Sequence, residues 1–267
     1  MKFRYYNRSL ISNFFHGINN YDANNELKLE KRALFAIYPT NFDESRKIGW
    51  FYVIKDSIFK IENLKSKDRN YIKKSVSSFL CKKIDPNDFE TEILDIANHV
   101  ARNYGVTTTV YCENDLNNWK SPENDFFGVF DKNKCRLLGW ALLSKYGDHI
   151  DFSILKIEQE AVKKGASAAL IYHIVNQYKK YLLGGGIIND GSRNMLHETN
   201  FQDYLIRYFG FRKCYADLNI VYKGYIKFII FLIYPFRNVF KNSHNIFLKK
   251  IHTVLLLESI RRNGDIQ

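Results

Sequence analysis

Three β-strand candidates in close succession constrain the fold of this chain more than any other feature. They cover Phe126 to Phe130, Arg136 to Ser144 and His149 to Ile157, and turn-forming residues separate them at Asp131-Lys132-Asn133-Lys134 and at Gly147-Asp148. Short connections rich in Asp, Asn and Gly are typical of neighbouring antiparallel strands. The pattern therefore predicts an antiparallel meander near the middle of the chain.

Helix candidates lie on both sides of this meander. Upstream, Asp85 and Pro86 offer an N-cap and a proline at the first helical position, and the helix is expected to end near Gly105. Its apolar positions share one face: Phe89, Ile93, Ile96, Ala97 and Val100. Downstream, a long helix is predicted from about Glu158 to Leu182, before the stop at Gly184-Gly185-Gly186. Its apolar side holds Val162, Ala166, Ala169, Leu170, His173, Ile174 and Tyr178.

Three further elements follow the triple glycine. They are a short strand from Ile187 to Asn189, a helix from about Asn200 to Phe209 and a closing strand from Phe211 to Tyr222, with Gly210 ending the helix. The helix is expected to bury Phe201, Tyr204, Leu205 and Tyr208.

The first part of the chain is less regular. Strand-like runs at Leu34 to Tyr38 and Ile48 to Ile54 lie among Asn-rich connections. Residues 64–84 predict a basic helix leading into a short strand, because Ile72, Val76 and Phe79 recur at helical spacing.

The order helix, three strands, helix, strand, helix, strand resembles the core of the GNAT acyltransferases. The phrases that carry the resemblance are FFGVF-DKNK-CRLLGWALLSKYGDHIDFSILKI and TNFQDYLIRYFGFRKCY, the second being similar to that family's last helix and its Gly-Phe corner. The resemblance covers roughly residues 82–223. Upstream, LKSKDRNYIKKS resembles the segment of FemAB-type proteins that leads from an incomplete first GNAT-like half into a complete second one.

The resemblance implies an α/β (α+β) architecture, a mixed and mainly antiparallel sheet flanked by helices. It divides the chain into an N-terminal lobe over residues 1–81, a GNAT-like acyltransferase domain over 82–223 and a basic, apolar C-terminal extension over 224–267. It also implies an enzyme, an N-acyltransferase that moves an acetyl or short acyl group from acetyl-CoA or another acyl-CoA to an amine or hydroxyl. The expected acceptor is a small molecule such as an amino sugar, or a lipid-linked surface-polysaccharide precursor.

Two alternatives stay open. FemAB-like proteins use aminoacyl-tRNA as donor, and the basic stretch at residues 60–83 could follow a phosphate backbone. A non-catalytic module that binds nucleic acid or membrane would also fit the basic segments, and tRNA or an anionic membrane would then be the partner.

The donor site implied by the family lies on the last meander strand and the start of the long helix. Strand backbone groups would face the pantetheine, and the helix N-terminus would hold the pyrophosphate. The corresponding residues are Leu155, Lys156, Ile157, Lys163, Lys164, Gly165, Ala166 and Ser167. Val162 and Ser167 depart from the family's phosphate-loop pattern, and the alternative is that Gly165, Ala166 and Ala169 only let the helix pack closely.

The acceptor site is expected in the polar segment from Asp190 to Asn200, directly after a buried strand. His197 or Glu198 is the candidate general base, with Asp190 orienting the acceptor. The candidate substrate-binding residues are Arg193, Asn194 and Asn200. The alternative interpretation is a turn at Asp190-Gly191 followed by a helix cap.

Other residues carry weaker signals. The family's general-acid tyrosine position, four residues before Gly210, holds Ile206, and Tyr204 and Tyr208 are expected in the core. His173 is expected to be a buried structural histidine. No His, Cys or Asp cluster has metal-ligand spacing, so no metal is expected.

Charge and cysteine content bear on location and partners. The net charge is +12, concentrated at residues 60–83 and 223–262. The C-terminal apolar run from Phe228 to Phe236 is too short to cross a bilayer, but its mixture with Lys and Arg suits an interfacial segment on an anionic membrane. Four widely spaced cysteines indicate free thiols, and no secretory signal is apparent. We therefore expect a cytoplasmic protein, peripheral on the inner face of the membrane if the tail binds it.

Overall fold

A computed structural model describes residues 2–44, 47–103, 110–133, 135–193, 200–240 and 245–264. Its strands are β1 (Phe3–Tyr6), β2 (Ser9–Ser12), β3 (Phe35–Thr40), β4 (Phe51–Lys55), β5 (Phe79–Ile84), β6 (Asn124–Asp131), β7 (Leu137–Lys145), β8 (Ile150–Ile157), β9 (Ile188–Ser192), β10 (Arg212–Tyr215) and β11 (Asp217–Tyr222). Its α-helices are α1 (Asn20–Leu29), α2 (Ser66–Ser78), α3 (Glu90–Asn103), α4 (Glu113–Trp119), α5 (Gln159–Lys163), α6 (Ala166–Gln177), α7 (Lys179–Leu183), α8 (Phe201–Phe209), α9 (Gly224–Ile233) and α10 (Ile246–Asn263). Short 3-10 helices cover Ile61–Asn63, Pro86–Phe89 and Tyr234–Phe240.

The chain folds into two compact units, each built from separated segments. The first unit contains Met1–Val53, Gly191–Asn200 and Lys213–Gln267, and the second contains Ile54–Asp190 and Phe201–Arg212. The three successive segments expected from the sequence follow the chain order, whereas these units group strands that are distant along the chain.

The second unit contains the meander that the sequence predicts. Its strands run in the order β9-β8-β7-β6-β5, in which β5 through β8 are antiparallel to one another and β9 runs parallel to β8. The pairs Cys81↔Val129 and Gly128↔Trp140 define two of the registers. The prediction of a mixed, mainly antiparallel sheet is confirmed.

Helix α3 packs on one face of this sheet. Asp85 caps the preceding 3-10 turn by accepting a hydrogen bond from the Asn87 amide, with Pro86 at the first position, as predicted. The buried α3 side chains join a cluster with strand residues and with Leu116 of α4: Ile84, Ile93, Ile96, Ala97, Val100, Phe126, Phe130, Leu137, Trp140 and Leu142. Trp140 is fully buried, and its indole N–H donates to the Ile93 carbonyl at 3.1 Å. Helix α4 was not predicted from the sequence. Gly105, where the α3 helix was predicted to end, lies outside the described residues.

Two elements that the sequence predicts as continuous are interrupted in the structure. The long helix from Glu158 to Leu182 is three helices. Gly165, with a φ of +96°, interrupts the chain between α5 and α6, and Tyr178 lies between α6 and α7. Val162 is consequently 44% exposed instead of facing the core. The closing strand from Phe211 to Tyr222 is two strands, β10 and β11, which belong to different sheets.

The first unit has its own four-stranded sheet in the order β1-β2-β3-β11. β3 runs parallel to β2 and antiparallel to β11, with Ile37 opposite Ile220. Its core joins the N-terminal strands to α1 and β11: Phe3, Leu10, Ile18, Ala23, Leu27, Ala33, Ala36, Tyr38 and Val221. The strands expected near Leu34 and Ile48 are present as β3 and β4, whereas the pairing of β3 with the last strand, β11, was not predicted.

Smaller predictions vary in outcome. On α2, Ile72 is buried as expected, but Val76 is 37% exposed and Phe79 starts β5. On α8, Leu205 and Phe209 are buried, whereas Phe201, Tyr204 and Tyr208 are half-buried. All four cysteines are free thiols, as predicted. Among the described residues, none of the helices combines the length and hydropathy that a bilayer crossing requires.

Gly139 offers a test of how closely β7 and β8 approach. A Cβ at this position would lie 2.6 Å from Ile157 Cγ1 and 2.8 Å from both the Ile157 Cα and the Lys156 carbonyl oxygen. Backbone atoms cannot yield as a flexible side chain can, so we expect Gly139→Ala to lower the free energy of unfolding by about 1–3 kcal/mol. Gly224→Ala is the control, since no atom lies within 4 Å of its added methyl group. Equal urea midpoints for the two variants would contradict this packing.

Candidate active site

Strand β8 is paired differently on its two sides. It pairs with β7 from Ile150 to Ile157, but with β9 only through Ile150↔Ile188 and Asp151↔Asn189. Among the described residues, β9 contributes no ladder pair to β8 beyond Asp151. The later backbone groups on that side of β8 therefore have no ladder partner in the part of β9 that the structure describes.

An irregularity marks the point where β8 and β9 separate. The register changes from Leu142↔Ile154 to Leu143↔Phe152, so Ser153 is an extra residue in β8. A bulge of this kind bends its strand and ends regular pairing, and bulges are enriched next to active sites. Ser153 is exposed, and its hydroxyl donates to the Ser144 hydroxyl at 2.8 Å.

The predicted donor residues fall into two environments. Leu155 and Lys156 are half-exposed on β8, and Ile157 is buried at its end. The Lys156 ammonium lies 5.3 Å from the centre of the Tyr111 ring. The strand part of the predicted donor site is thus accessible at two of its three positions.

At the helix part of that site, packing explains the glycine. Gly165 has a positive φ, and a Cβ there would overlap the hydroxyl of Ser75 in α2. Ala166 is buried and Ser167 is half-buried, while Lys163 and Lys164 are exposed. Lys163 pairs with Glu160 at 2.7 Å. Gly165 is therefore required for packing whether or not a donor binds, and the two lysines remain candidates for phosphate contact.

Asp190 lies directly after Asn189, the last β9 residue that pairs with β8. Burial of its carboxyl raises the pKa of Asp190 to about 8, with a further rise from the negative charge of Asp151 and an opposing hydrogen bond from Gln202. A carboxylate with a pKa near the working pH is suited to general base catalysis. The raised pKa makes Asp190 a candidate base, in addition to the orienting role that the sequence indicates.

A buried polar cluster lies beside Asp190. His149 is 2% exposed, with Nδ1 at 2.5 Å from Asp148 Oδ1 and Nε2 at 2.9 Å from Asp151 Oδ1. Asn189 Nδ2 also donates to Asp151 Oδ1 at 2.6 Å. Burial opposes a charge on the ring, but the hydrogen bonds that the ring donates to both carboxylates outweigh it and raise the pKa of His149.

From the sequence alone, His149 is expected only at the start of a strand, and the cluster is not apparent. Its one local signal is the polar run Gly147-Asp148-His149 next to an apolar strand that includes Asp151. Nothing local indicates that Asn189, nearly 40 residues later, meets the same carboxylate.

Comparisons with known proteins address the fold. No family model matches the sequence, and no curated protein matches it either. The crystal structure of FemX matches with a TM-score of 0.53 and 10% identity, covering 85% of each chain. The C-terminal domain of a protein named as a lysylphosphatidylglycerol synthetase from Agrobacterium fabrum matches with a TM-score of 0.50 and 12% identity, covering 86% of this chain and 82% of that one. The chain has a GNAT fold of the FemX-like type.

A third match is partial. It is a GCN5-related glucosamine N-acetyltransferase region of a fungal multi-domain β-N-acetylglucosaminidase, with a TM-score of 0.32 and 12% identity. That match covers 38% of this chain and only 12% of the fungal one.

Within this GNAT fold, the last helix differs from the family pattern at the general-acid position. Ile206 occupies it, and the neighbouring Tyr204 and Tyr208 pack instead, with ring centres 4.9 Å apart. Tyr204 OH lies 3.5 Å from Tyr71 OH of α2, and burial raises the pKa of Tyr204. These tyrosines therefore contribute to the packing of α8 on α2, although both are only half-buried.

The other predicted acceptor residues separate into two groups. Asn194, His197 and Glu198 lie outside the described residues. Arg193 Nη1 donates to the Gly49 carbonyl at 2.8 Å, and its guanidinium lies 5.8 Å from the Phe51 ring centre. Asn200 is exposed immediately before α8. Arg193 therefore has a structural contact, and its role toward a substrate stays a prediction.

A pocket and a histidine are further features of the second unit. An open pocket of about 340 Å³ lies between the end of α3 and the start of α5, lined by His99, Asn103, Glu158, Gln159 and Glu160. Arg136 holds Glu158 through two hydrogen bonds of 2.6 and 2.9 Å. His173 is half-buried with its ring edge toward Phe127, and burial lowers its pKa.

Proposed function

We propose that this protein is an acyltransferase that uses Asp190 as the general base for an amine or hydroxyl acceptor. The observation that carries the proposal is the position of a carboxyl with a pKa of about 8 immediately after the last β8–β9 pair. The donor would lie along the unpaired side of β8, where backbone groups can bond the amides of an extended thioester arm. The acceptor would approach from the side of Asp190.

The chemistry requires one proton transfer and one exchange of bonds. Asp190 accepts a proton from the acceptor nitrogen or oxygen, whose lone pair then forms a bond to the acyl carbon. The bond from that carbon to the donor's leaving atom breaks, and the leaving group departs with the electron pair. Positioning and proton removal account for most of the acceleration in such a reaction, so no further covalent group is needed.

Acyl-CoA is the donor that we propose first. Lys163 and Lys164 are exposed just before the N-terminus of α6, where amide dipoles favour phosphate. For the acceptor, we propose an amino sugar or a lipid-linked polysaccharide precursor, as expected from the sequence.

An aminoacyl-tRNA donor is the second candidate. Helix α2 presents several cations to solvent: Lys65 at its N-cap, Lys67, Lys73 and Lys74. Its one acid, Asp68, is buried and paired with Arg207 at 2.9 Å. The exposed surface of α2 is therefore basic, which suits a polyanionic donor.

A charge-reversal variant tests the donor site. We expect Lys163→Glu with Lys164→Glu to abolish the rise in melting temperature that acetyl-CoA produces, because a donor that binds the folded state stabilises it by an amount that grows with donor concentration over its dissociation constant. The control is Lys179→Glu with Lys180→Glu, which makes the same charge change on the exposed α7 and should retain the shift. Thermal unfolding with acetyl-CoA, coenzyme A and bulk tRNA at two salt concentrations provides the measurement.

The outcomes separate the two donors. An acetyl-CoA shift that survives moderate salt and disappears only in the Lys163/Lys164 variant supports acyl-CoA. A larger shift with charged than with uncharged tRNA supports the second donor. No shift with any of them would contradict the enzyme and favour a binding module.

A further inference from the structure

Helix α9 exposes the apolar stripe that a surface helix normally buries. Tyr225, Phe228, Ile229 and Leu232 follow one another at the spacing of one helix face, and their exposed fractions are 59%, 62%, 45% and 50%. Phe236 follows in the 3-10 helix at 63%. Only Ile230 among the described residues of α9 is buried, and it points away from the stripe. The outward face of this segment is therefore its apolar face.

An exposed apolar patch of this kind indicates that another molecule or a membrane covers it; we call this the occupant of the stripe. Contiguous exposed apolar surface is costly in water and marks sites of protein or membrane contact. Here the stripe consists of large aromatic and aliphatic side chains, with no charged residue at any of its positions. Scattered exposed apolar residues would need no such explanation, but five at helical spacing do.

The charge around the stripe indicates which occupant fits. Between Leu218 and Gly264 the sequence contains one acid, Glu258, which is 1% exposed and bonded to both Arg261 and Arg262. Lys227, Lys249 and Lys250 are exposed. A second copy of this chain would bring the same positive charge against itself, whereas an anionic surface would neutralise it.

We propose that the stripe of α9 and the following 3-10 helix binds an anionic bilayer surface, lying in the plane of the headgroups. The ten residues of α9 extend about 15 Å, which is half of a hydrocarbon core, so they lie on the membrane and do not cross it. Large apolar side chains would enter the boundary between headgroups and acyl chains, and the lysines would meet lipid phosphates. This proposal does not depend on the acyl transfer proposed above.

Vesicle binding by the full-length protein tests it. We expect co-sedimentation with vesicles of phosphatidylcholine containing phosphatidylglycerol, weaker binding to phosphatidylcholine alone, and a decrease as salt rises. Phe228→Ser with Leu232→Ser should weaken binding by about tenfold or more, since two large apolar side chains leave the interface. The matched control, Tyr21→Ser with Leu29→Ser, removes side chains that are 73% and 78% exposed on α1 and should bind as the unaltered protein does.

A charge variant completes the test. Lys249→Glu with Lys250→Glu should remove the preference for phosphatidylglycerol, while Lys179→Glu with Lys180→Glu should leave it. All four variants alter exposed side chains, and their melting temperatures without vesicles should equal that of the unaltered protein. Equal binding by the stripe variant and its control would overturn the proposal. So would a vesicle-independent dimer that dissociates only in the stripe variant, because the occupant would then be a second copy.

Discussion

Replacing Asp190 by asparagine should remove acyl transfer and at the same time stabilise the folded protein above neutral pH. A general base contributes about 100- to 10,000-fold to a reaction rate, so we expect a loss of that size in Asp190→Asn. Thiol release from acetyl-CoA in the presence of amino sugars, or aminoacyl transfer if tRNA is the donor, would measure it. The loss should lie in the turnover rate and not in donor binding.

The stability effect has a definite sign. The folded-state pKa of Asp190, about 8, lies above the ordinary value of 3.8, so the folded state holds this proton more tightly. The stabilisation that this provides is fully present below about pH 4 and is lost as pH rises through about 8. Between pH 4 and 8 the unaltered protein should lose on the order of 5 kcal/mol of unfolding free energy through this group, and Asp190→Asn should not.

Asp203→Asn is the matched control, since Asp203 is an exposed carboxylate on α8 in the same unit. Asp203→Asn should leave the rate of acyl transfer unchanged. It should also leave the pH dependence of the free energy of urea unfolding unchanged. An Asp190→Asn protein with normal transfer would exclude Asp190 as the base. If the unfolding free energy of Asp190→Asn depends on pH as that of the unaltered protein does, the Asp190 carboxyl ionises in the folded state at no cost in stability.

Replacing His149 by leucine should be among the most destabilising single changes in the second unit. The ring joins two carboxylates, and Asp151 is itself only 6% exposed. Removing one partner of a buried charged pair leaves the other uncompensated, which costs about 3–5 kcal/mol. Because the pKa of His149 is raised, the ion pair contributes fully below the ordinary histidine value and is lost as pH rises through the folded-state value. The difference between the two proteins should therefore be larger at pH 6 than at pH 9.

His173→Leu provides the comparison in urea unfolding. His173 is half-buried against Phe127, and burial favours its neutral form, so an apolar replacement of similar size should cost less than about 1.5 kcal/mol at either pH. Equal costs for the two histidines, or a His149→Leu effect that does not change with pH, would contradict a charged ring in the cluster.

Several features could be predicted from the sequence because their causes are local. The turn residues Gly147-Asp148 and the apolar strands around them define the meander without help from the rest of the chain. Asp85 and Pro86 define the start of the α3 segment, since a cap bonds only the next few amides. The apolar stripe of α3, with Ile93, Ala97 and Val100, is buried as its period indicates. The resemblance to the GNAT fold followed from the order of such elements.

Other features are decided by contacts between distant parts of the chain. The overlap with Ser75 makes a glycine necessary where a continuous helix was expected, and β3 is paired with β11, about 180 residues away. The candidate base is also decided by such contacts. The pKa of Asp190 differs from that of an ordinary turn aspartate through burial and the charge of Asp151. Local sequence determines which backbone conformation and which face each segment favours, while desolvation and pairing depend on what the folded chain places around each group. The sequence by itself thus determined the meander, the flanking helical segments and their order, and the tertiary structure decided the burial that raises the pKa of Asp190.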